Sequence, residues 1–436
     1  VGSVTSFENF AECPLRYYLR YGVDLKEREE FTFSPVNFGV VLHAVIREVC
    51  DEIKKNGESY YLISEEKRRE MVKRSVSAIT DIYQNSILKD SSRNSFMIKR
   101  MEDLADRTIW AMGEQLKCGD FVPFVFEHKF NMEVGDGDRK QLMSGTIDRV
   151  DICENDTDVY VRIIDYKTGK KDFNIVKTYY GIDIQLMVYM EAAMKLVAKM
   201  RPGKNVIPAG VFYYNISDPI VSATTESAEE IEDKIKGELR LKGMVNSDKD
   251  IVEKMDNTEG TSLNIPVSRK ADGGFDSRRS KVMNTEQFNM LGRFVDVRAV
   301  DTADRIAGGD IRRSPYKDGQ FSSCDRCPYG AVCGFSVDLP GCNYRKLKKF
   351  DDEVLWNNIK EGVDENGKKI NEKLIGWRDE NSRVNYKRWI TIDNPREDSK
   401  VHLYNIRVNQ VKYENDTSYR LVTGNAQNSR ELLGGK

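Results

Sequence analysis

The sequence predicts an α/β protein, and three observations predict it. Residues 145–151 (Gly-Thr-Ile-Asp-Arg-Val-Asp) and 163–169 (Ile-Ile-Asp-Tyr-Lys-Thr-Gly) alternate apolar and polar positions between polar or glycine boundaries, as strands do. Amphipathic stretches at 38–55 and 183–199, with apolar residues three and four apart, read as helices on either side of them. Two further strand-like runs, 121–134 and 206–214, complete the order helix, three strands, helix, strand.

The elements follow in chain order. Thr5 and Glu8 have the spacing of a capping box, which opens a short helix. A second helix runs from Cys13-Pro14 to Gly22: proline suits the first turn and glycine the stop, so Cys13 falls at a helix N-terminus. On 38–55 the stripe is Leu42, Val45, Ile46, Val49 and Ile53, with His43 beside it. Taken alone, His43 reads as a core residue. Residues 65–90 and 95–118 are two charged helices. Within 121–134, Glu127 is either a third acidic group near a site or a solvated edge residue. On 183–199, Gln185 and Tyr189 are four apart and share a face. Residues 216–260 read as a helical, acidic insertion, 264–282 as a basic glycine-containing loop, and 285–306 as a helix.

Bulk properties bound the function. At 436 residues the chain has the length of two or three domains. A net charge of −2 excludes a global basic field, so any nucleic-acid surface is a local patch. Arg312, Arg313, Arg345, Lys346, Lys348 and Lys349 are candidates for one. With no signal peptide and no membrane-length apolar run, the expected location is the cytoplasm. The chain starts with Val, which suggests processing or a piece of something longer. Eight cysteines in a large, charged chain point to thiols and metal ligands, not disulfides.

Two groups carry chemistry. Alternation places Asp148 on the face of Leu142, Val150 and Ile152, and Asp165 with Lys167 on the face of Val161 and Ile163. A carboxylate on a core-facing side must be paired or bound to a cation. Two carboxylates and a lysine at neighbouring strand ends suit Mg²⁺ or Mn²⁺; a Lys–Asp ion pair in a hairpin is the plainer account. The second group is Cys324, Cys327 and Cys333, three soft ligands that select zinc or an iron–sulfur cluster. The fourth ligand comes from Cys342 or from Cys13.

Taken together, six motifs occur in the order of one family: Ser3-x-Thr5-x-Phe7 leading to Cys13-Pro14; Gly39-x₃-His43; Gly145-x-Ile147-Asp148-Arg149; Asp165-Tyr166-Lys167-Thr168-Gly169; Gln185-x₃-Tyr189; and Cys324-x₂-Cys327-Pro328-Tyr329-x₃-Cys333. The chain resembles the RecB-type branch of the PD-(D/E)XK nuclease superfamily, and within it the C-terminal nuclease region of the AddB subunits of AddAB helicase–nucleases. The resemblance implies a restriction-endonuclease-like core, a central mixed sheet flanked by helices, with an iron–sulfur staple. It implies that His43, Asp148 and Asp165 hold Mg²⁺ or Mn²⁺, that Lys167 positions or activates water, and that Gln185 and Tyr189 act beside the site. It makes Cys13, Cys324, Cys327 and Cys333 the ligands of a structural [4Fe–4S] cluster, with Cys342 a bystander.

The expected function is a metal-dependent DNA exonuclease that acts with an AddA-like helicase subunit on broken DNA ends. Residues 1–360 form the nuclease domain and 361–436 an unassigned extension containing Trp377 and Trp389. No phosphate-binding loop of the ATPase type is present in the sequence. Two alternatives stand beside this reading: a stand-alone Cas4-like exonuclease, and a zinc-stapled module that binds DNA without cutting it.

Overall fold

Val159, Val161 and Ile163 pack on one side of their strand and Tyr160, Ile164 and Tyr166 on the other, and all six are buried. Burying each such side chain contributes roughly 1.5–3 kcal/mol. A strand apolar on both faces needs a helical layer on each. That architecture is found in the computed structural model, which describes residues 2–26, 35–82, 92–134, 141–222, 226–339 and 342–362. The C-terminal extension from 363 onward lies outside the described residues.

The chain opens with β1 (Gly2–Ser3), α1 (Val4–Glu12), α2 (Pro14–Tyr17) and a π-helical turn over Tyr18–Gly22. Three long helices follow: α3 (Pro35–Lys55), α4 (Glu65–Ile82) and α5 (Ser92–Lys117). Then come β2 (Val122–Val134), β3 (Gln141–Glu154), β4 (Asp158–Lys167), α6 (Ile175–Tyr179), α7 (Gln185–Met200) and β5 (Asn205–Asn215). The next group is α8 (Ala228–Glu238), β6 (Lys242–Asn246), α9 (Lys249–Met255), β7 (Val282–Met283) and α10 (Thr285–Ala307). The last is β8 (Tyr316–Asp318), β9 (Phe321–Ser322), α11 (Gly330–Cys333), β10 (Arg345–Lys346) and α12 (Asp352–Gly362).

Among the described residues, one mixed sheet runs β1–β3–β4–β5–β6–β7, with β2 antiparallel to β3 on its far edge. The β4–β5 pair is parallel, joined by a crossover through α6 and α7. α1, α7, α10 and α12 cover one face; α3, α4, α5 and α9 cover the other. A small separate sheet, β10–β8–β9, carries the cysteine-rich segment.

Three expectations are corrected. Residues 216–260 are not purely a helical insertion, because β6 pairs with β5 from Gly210–Val245 to Tyr213–Lys242 and so extends the main sheet. α1 is not capped by a Thr5–Glu8 box; its N-cap is Ser3, whose hydroxyl accepts from the Ser6 amide at 3.1 Å. The basic loop 264–282 is tied to its surroundings: Arg269 donates to the backbone oxygens of Thr258 and Asp256, and Lys281 pairs with Asp172. No helix among the described residues is long and apolar enough to cross a membrane.

Candidate functional site

β3 and β4 are paired only from Arg149–Ile164 to Glu154–Val159. β4 then continues to Lys167 along β5, while the other half of β3 stays with β2. Since β2 holds one edge of β3 throughout, β1, which pairs at Met143 and Ser144, must lie on the edge that β4 has left. Residues 145–148 of β3 therefore border a fork in the sheet. Asp148 stands at its apex. Its Oδ2 accepts the Tyr166 amide at 2.7 Å, so a side chain takes over a donor that the diverging strands no longer pair.

The fork lets side chains from both helical layers meet. Alternation breaks here: Ile147 and Val150 both join the core under α7, so simple alternation does not describe Asp148. Opposite it, Glu127 has φ +48°, in the left-handed region that a non-glycine residue enters at a cost of order 1–3 kcal/mol. Around it Phe126 and Phe130, four apart, pack on opposite faces. The result is that Glu127 turns toward α3.

From α3, His43 presents Nδ1 3.5 Å from Asp148 Oδ1 and 3.7 Å from Glu127 Oε1. Its ring meets the edge of Tyr166 at 5.9 Å. Burial disfavours the imidazolium, but hydrogen bonds and charge from Asp148 and Glu127 outweigh it, and the imidazole is pushed up to about 10. One ligand atom each from His43, Glu127 and Asp148 lies within 4.8 Å of the others. Asp165, on β4, pairs with Lys167 Nζ. Burial, then the Asp148 charge, pushes the Asp165 carboxyl up to about 7 against the pull of Lys167.

From α7 comes the other half. Gln185 Nε2 donates to the Tyr189 hydroxyl at 2.9 Å, and the Tyr189 ring meets Phe130 edge-on at 5.6 Å. Both rings sit against Gly145, where a Cβ would stand 2.7 Å from Phe130 Cε1 and 3.0 Å from Tyr189 Cε1. The glycine of the Gly-x-Ile-Asp-Arg run is thus the space that admits Tyr189. Burial raises the Tyr189 phenol well above its ordinary value, so it stays protonated.

Behind the fork, Asp151 accepts from Arg149 Nε and Nη2 at 2.7 Å each and from Arg162 Nε at 2.9 Å. All three side chains are at most 1 % exposed.

Cys13, Cys324, Cys327 and Cys333 line one small pocket together with Leu15, Leu19 and Tyr329. Cys342 is buried but is not part of that lining. Burial pushes the Cys324 thiol up to about 11. The segments are laced together: the Leu15 amide donates to Arg312 O, the Tyr329 hydroxyl to Leu25 O, and Arg313 Nη1 to Cys333 O. Two of the basic residues considered for a DNA path have structural partners. Arg312 pairs with Asp310 at 2.7 Å, and Arg345 donates to the backbone oxygens of Ser314, Ala11 and Glu12.

Residues 2–334 match the PD-(D/E)XK nuclease superfamily. The chain belongs to that superfamily. It is also similar to proteins named as the AddB subunit of an ATP-dependent helicase/deoxyribonuclease. That of Caldanaerobacter subterraneus subsp. tengcongensis is 34 % identical over 385 residues, covering 86 % of this chain and 33 % of the relative. That of Clostridium acetobutylicum is 34 % identical over 375 residues, covering 84 % and 32 %. That of Thermoanaerobacter sp. is 32 % identical over 379 residues, covering 84 % and 33 %. The chain thus spans about one third of the length of the relatives it matches.

Within the superfamily's fold, the residues expected from the sequence converge: His43, Asp148, Asp165, Lys167, Gln185 and Tyr189 all border the fork. Asp165 faces Lys167, while Glu127 completes the close trio with His43 and Asp148. The sequence leaves Glu127 open, since nothing in Phe126-Glu127-His128 announces a left-handed backbone. A glutamate amid a long apolar strand is the available signal.

Proposed function

We propose that this chain is a divalent-metal-dependent nuclease domain that hydrolyses DNA phosphodiesters from an end, working beside an ATP-dependent helicase subunit in the processing of broken DNA. The observation that carries the reading is the fork itself, which gathers His43, Glu127 and Asp148 within 4.8 Å beside the Asp165–Lys167 pair. Superfamily membership and similarity to the helicase/deoxyribonuclease relatives support the reaction class.

The residues fit a hard divalent cation. Carboxylate oxygens with one imidazole are suitable donors, and the rise of His43 to about 10 reports an excess of negative charge there that a cation relieves. Bound there, such an ion supplies Lewis-acid polarisation of a phosphoryl oxygen and an acidified water. The chain's own residues do the rest. Lys167 holds a positive charge against Asp165 and is placed to stabilise charge developing on phosphate. Asp148, fixed by the Tyr166 amide, keeps its other oxygen toward His43. Tyr189, oriented by Gln185, closes the α7 side.

Cys13, Cys324, Cys327 and Cys333 fit a cluster better than a single zinc ion. Tetrahedral zinc with bonds of about 2.3 Å brings its sulfurs to roughly 3.8 Å of one another. Among the described residues no three cysteine sulfurs close to the 4.8 Å spacing seen for the His43 trio, although all four border one pocket. An iron–sulfur cluster there joins the first helices to the last segment and cross-links a long loop.

The deciding experiment is cleavage of end-labelled linear DNA with Mg²⁺ by anaerobically purified protein, wild type against Asp165→Ala, with iron, sulfide and zinc assayed. Mg²⁺-dependent loss of label abolished in the variant, with about four iron and four sulfide per chain, supports both halves. Folded, iron-loaded protein that binds DNA without cutting it refutes autonomous nuclease activity, and zinc in place of iron refutes the cluster.

A further inference from the structure

The glutamate that looked like a local cap serves a different helix. Glu8 Oε1 accepts the amides of Ile184 at 2.9 Å and Gln185 at 3.0 Å. These are the N-cap and first residue of α7, and Ile184 has no side-chain cap of its own to offer. The first-turn amides of a helix need acceptors and favour negative charge. Here the acceptor is supplied from α1, 176 positions earlier in the chain. Gln185, whose amide Glu8 holds, carries the side chain that orients Tyr189.

The surroundings are built for that carboxylate. Asp183, two residues before Gln185, accepts the Tyr213 hydroxyl at 2.7 Å and pairs with Lys171 at 3.0 Å. Lys171 lies over the Tyr213 ring at 4.4 Å. The Lys171 charge acts on both Glu8 and Asp165. A polar layer thus links the start of α7 to the floor of the fork.

We propose that Glu8 is a positioning residue of the nuclease site. By capping α7 across the fold it sets where Gln185 and Tyr189 stand relative to Asp148 and Asp165, without touching the reacting groups. This rests on the nuclease reading. It predicts that reach matters more than charge. Glu8→Gln keeps an oxygen at the same distance, whereas Glu8→Asp keeps the charge but withdraws it by one methylene.

The test uses the whole iron-loaded chain and single-turnover cleavage of end-labelled DNA at saturating protein, with DNA affinity, melting temperature and hydrogen exchange at the Ile184 and Gln185 amides measured alongside. Glu8→Asp is expected to slow cleavage about tenfold or more, since a misplacement near 1 Å can cost that much. DNA affinity should stay within about twofold, and amide protection should fall. Glu8→Gln is expected to retain the rate within about threefold, with protection kept. Native rates in both folded variants overturn the proposal. So does a rate lost in Glu8→Gln but kept in Glu8→Asp, which assigns the role to charge, and so does equal loss in both. Wild-type protein that does not cleave DNA refutes instead the nuclease reading beneath it.

Discussion

Replacing Asp151 by Ala should nearly unfold the protein. Asp151 is fully buried and is the carboxylate shared by two buried guanidiniums, with three hydrogen bonds of 2.7–2.9 Å. The triad already holds two positive charges against one negative. Removing the carboxylate leaves Arg149 and Arg162 uncompensated in the interior. Breaking a buried ion pair from one side costs about 3–5 kcal/mol, a third or more of a typical total stability of roughly 5–15 kcal/mol. The same residue predicts an acid limb. Burial opposes its ionised form, but the two arginines more than compensate and hold the carboxyl below its ordinary value. A depressed folded-state pKa contributes stability above the unfolded value, and that contribution is lost as pH falls through the folded one. Urea titrations at pH 7 and at pH 3–4 measure both effects. Wild type should lose stability on acidification, and Asp151→Ala should lose several kcal/mol at neutral pH but show a shallower acid limb. A neutral-pH loss below about 1 kcal/mol, the scale of a solvated surface pair, would refute the reasoning.

Two further outcomes follow from the geometry. Gly145→Ala should push Phe130 and Tyr189 away from β3, costing about 1–3 kcal/mol of stability as overpacking does and lowering the cleavage rate more than DNA affinity; thermal melts and single-turnover rates read both, and a native rate would show that Tyr189 needs no fixed place. On the outer face of α7 and α10, Asp296 hydrogen-bonds Glu191, and burial with the Glu191 contact pushes its carboxyl up to about 9. The folded state therefore holds an extra proton between the unfolded value and about 9, so stability declines as pH rises through that window; Asp296→Asn should flatten the decline and raise the melting temperature at pH 9, and an unchanged pH profile would contradict it.

Much of the site was readable because its chemistry sits on local patterns. Asp148, Asp165 and Lys167 interrupt strands at positions where a polar residue stands out, and Cys324, Cys327 and Cys333 lie close in sequence. The sheet's helical layers followed from strands apolar on both faces. What escaped was long-range or conformational. Glu8 matched a four-residue cap pattern with Thr5, but Ser3 took that role and Glu8 was free to reach α7. Glu127 depends on a positive φ that no neighbouring glycine signals. β6 is a five-residue strand between helices, and only its partner β5 makes it a strand. Arg312 and Arg345 looked like a basic surface because sequence does not show Asp310 or the carbonyls at the end of α1 facing them.

The contacts of α1 also set a timetable. Its first residues pair with β3, its carboxylate waits for α7, and its last carbonyls are met by Ser323 and by Arg345, the latter 333 positions downstream. On a ribosome adding about 5–20 residues per second, the earliest part of this domain is without its final partners for tens of seconds. The sheet and the α3–α5 layer can assemble meanwhile, but α1 and Cys13 dock only when the last segment has left the exit tunnel. Assembly of the cysteine centre is therefore the closing event of synthesis, and a chain stalled before Arg345 should expose the fork and the α1 groove together, a state that limited proteolysis of truncated nascent chains would reveal.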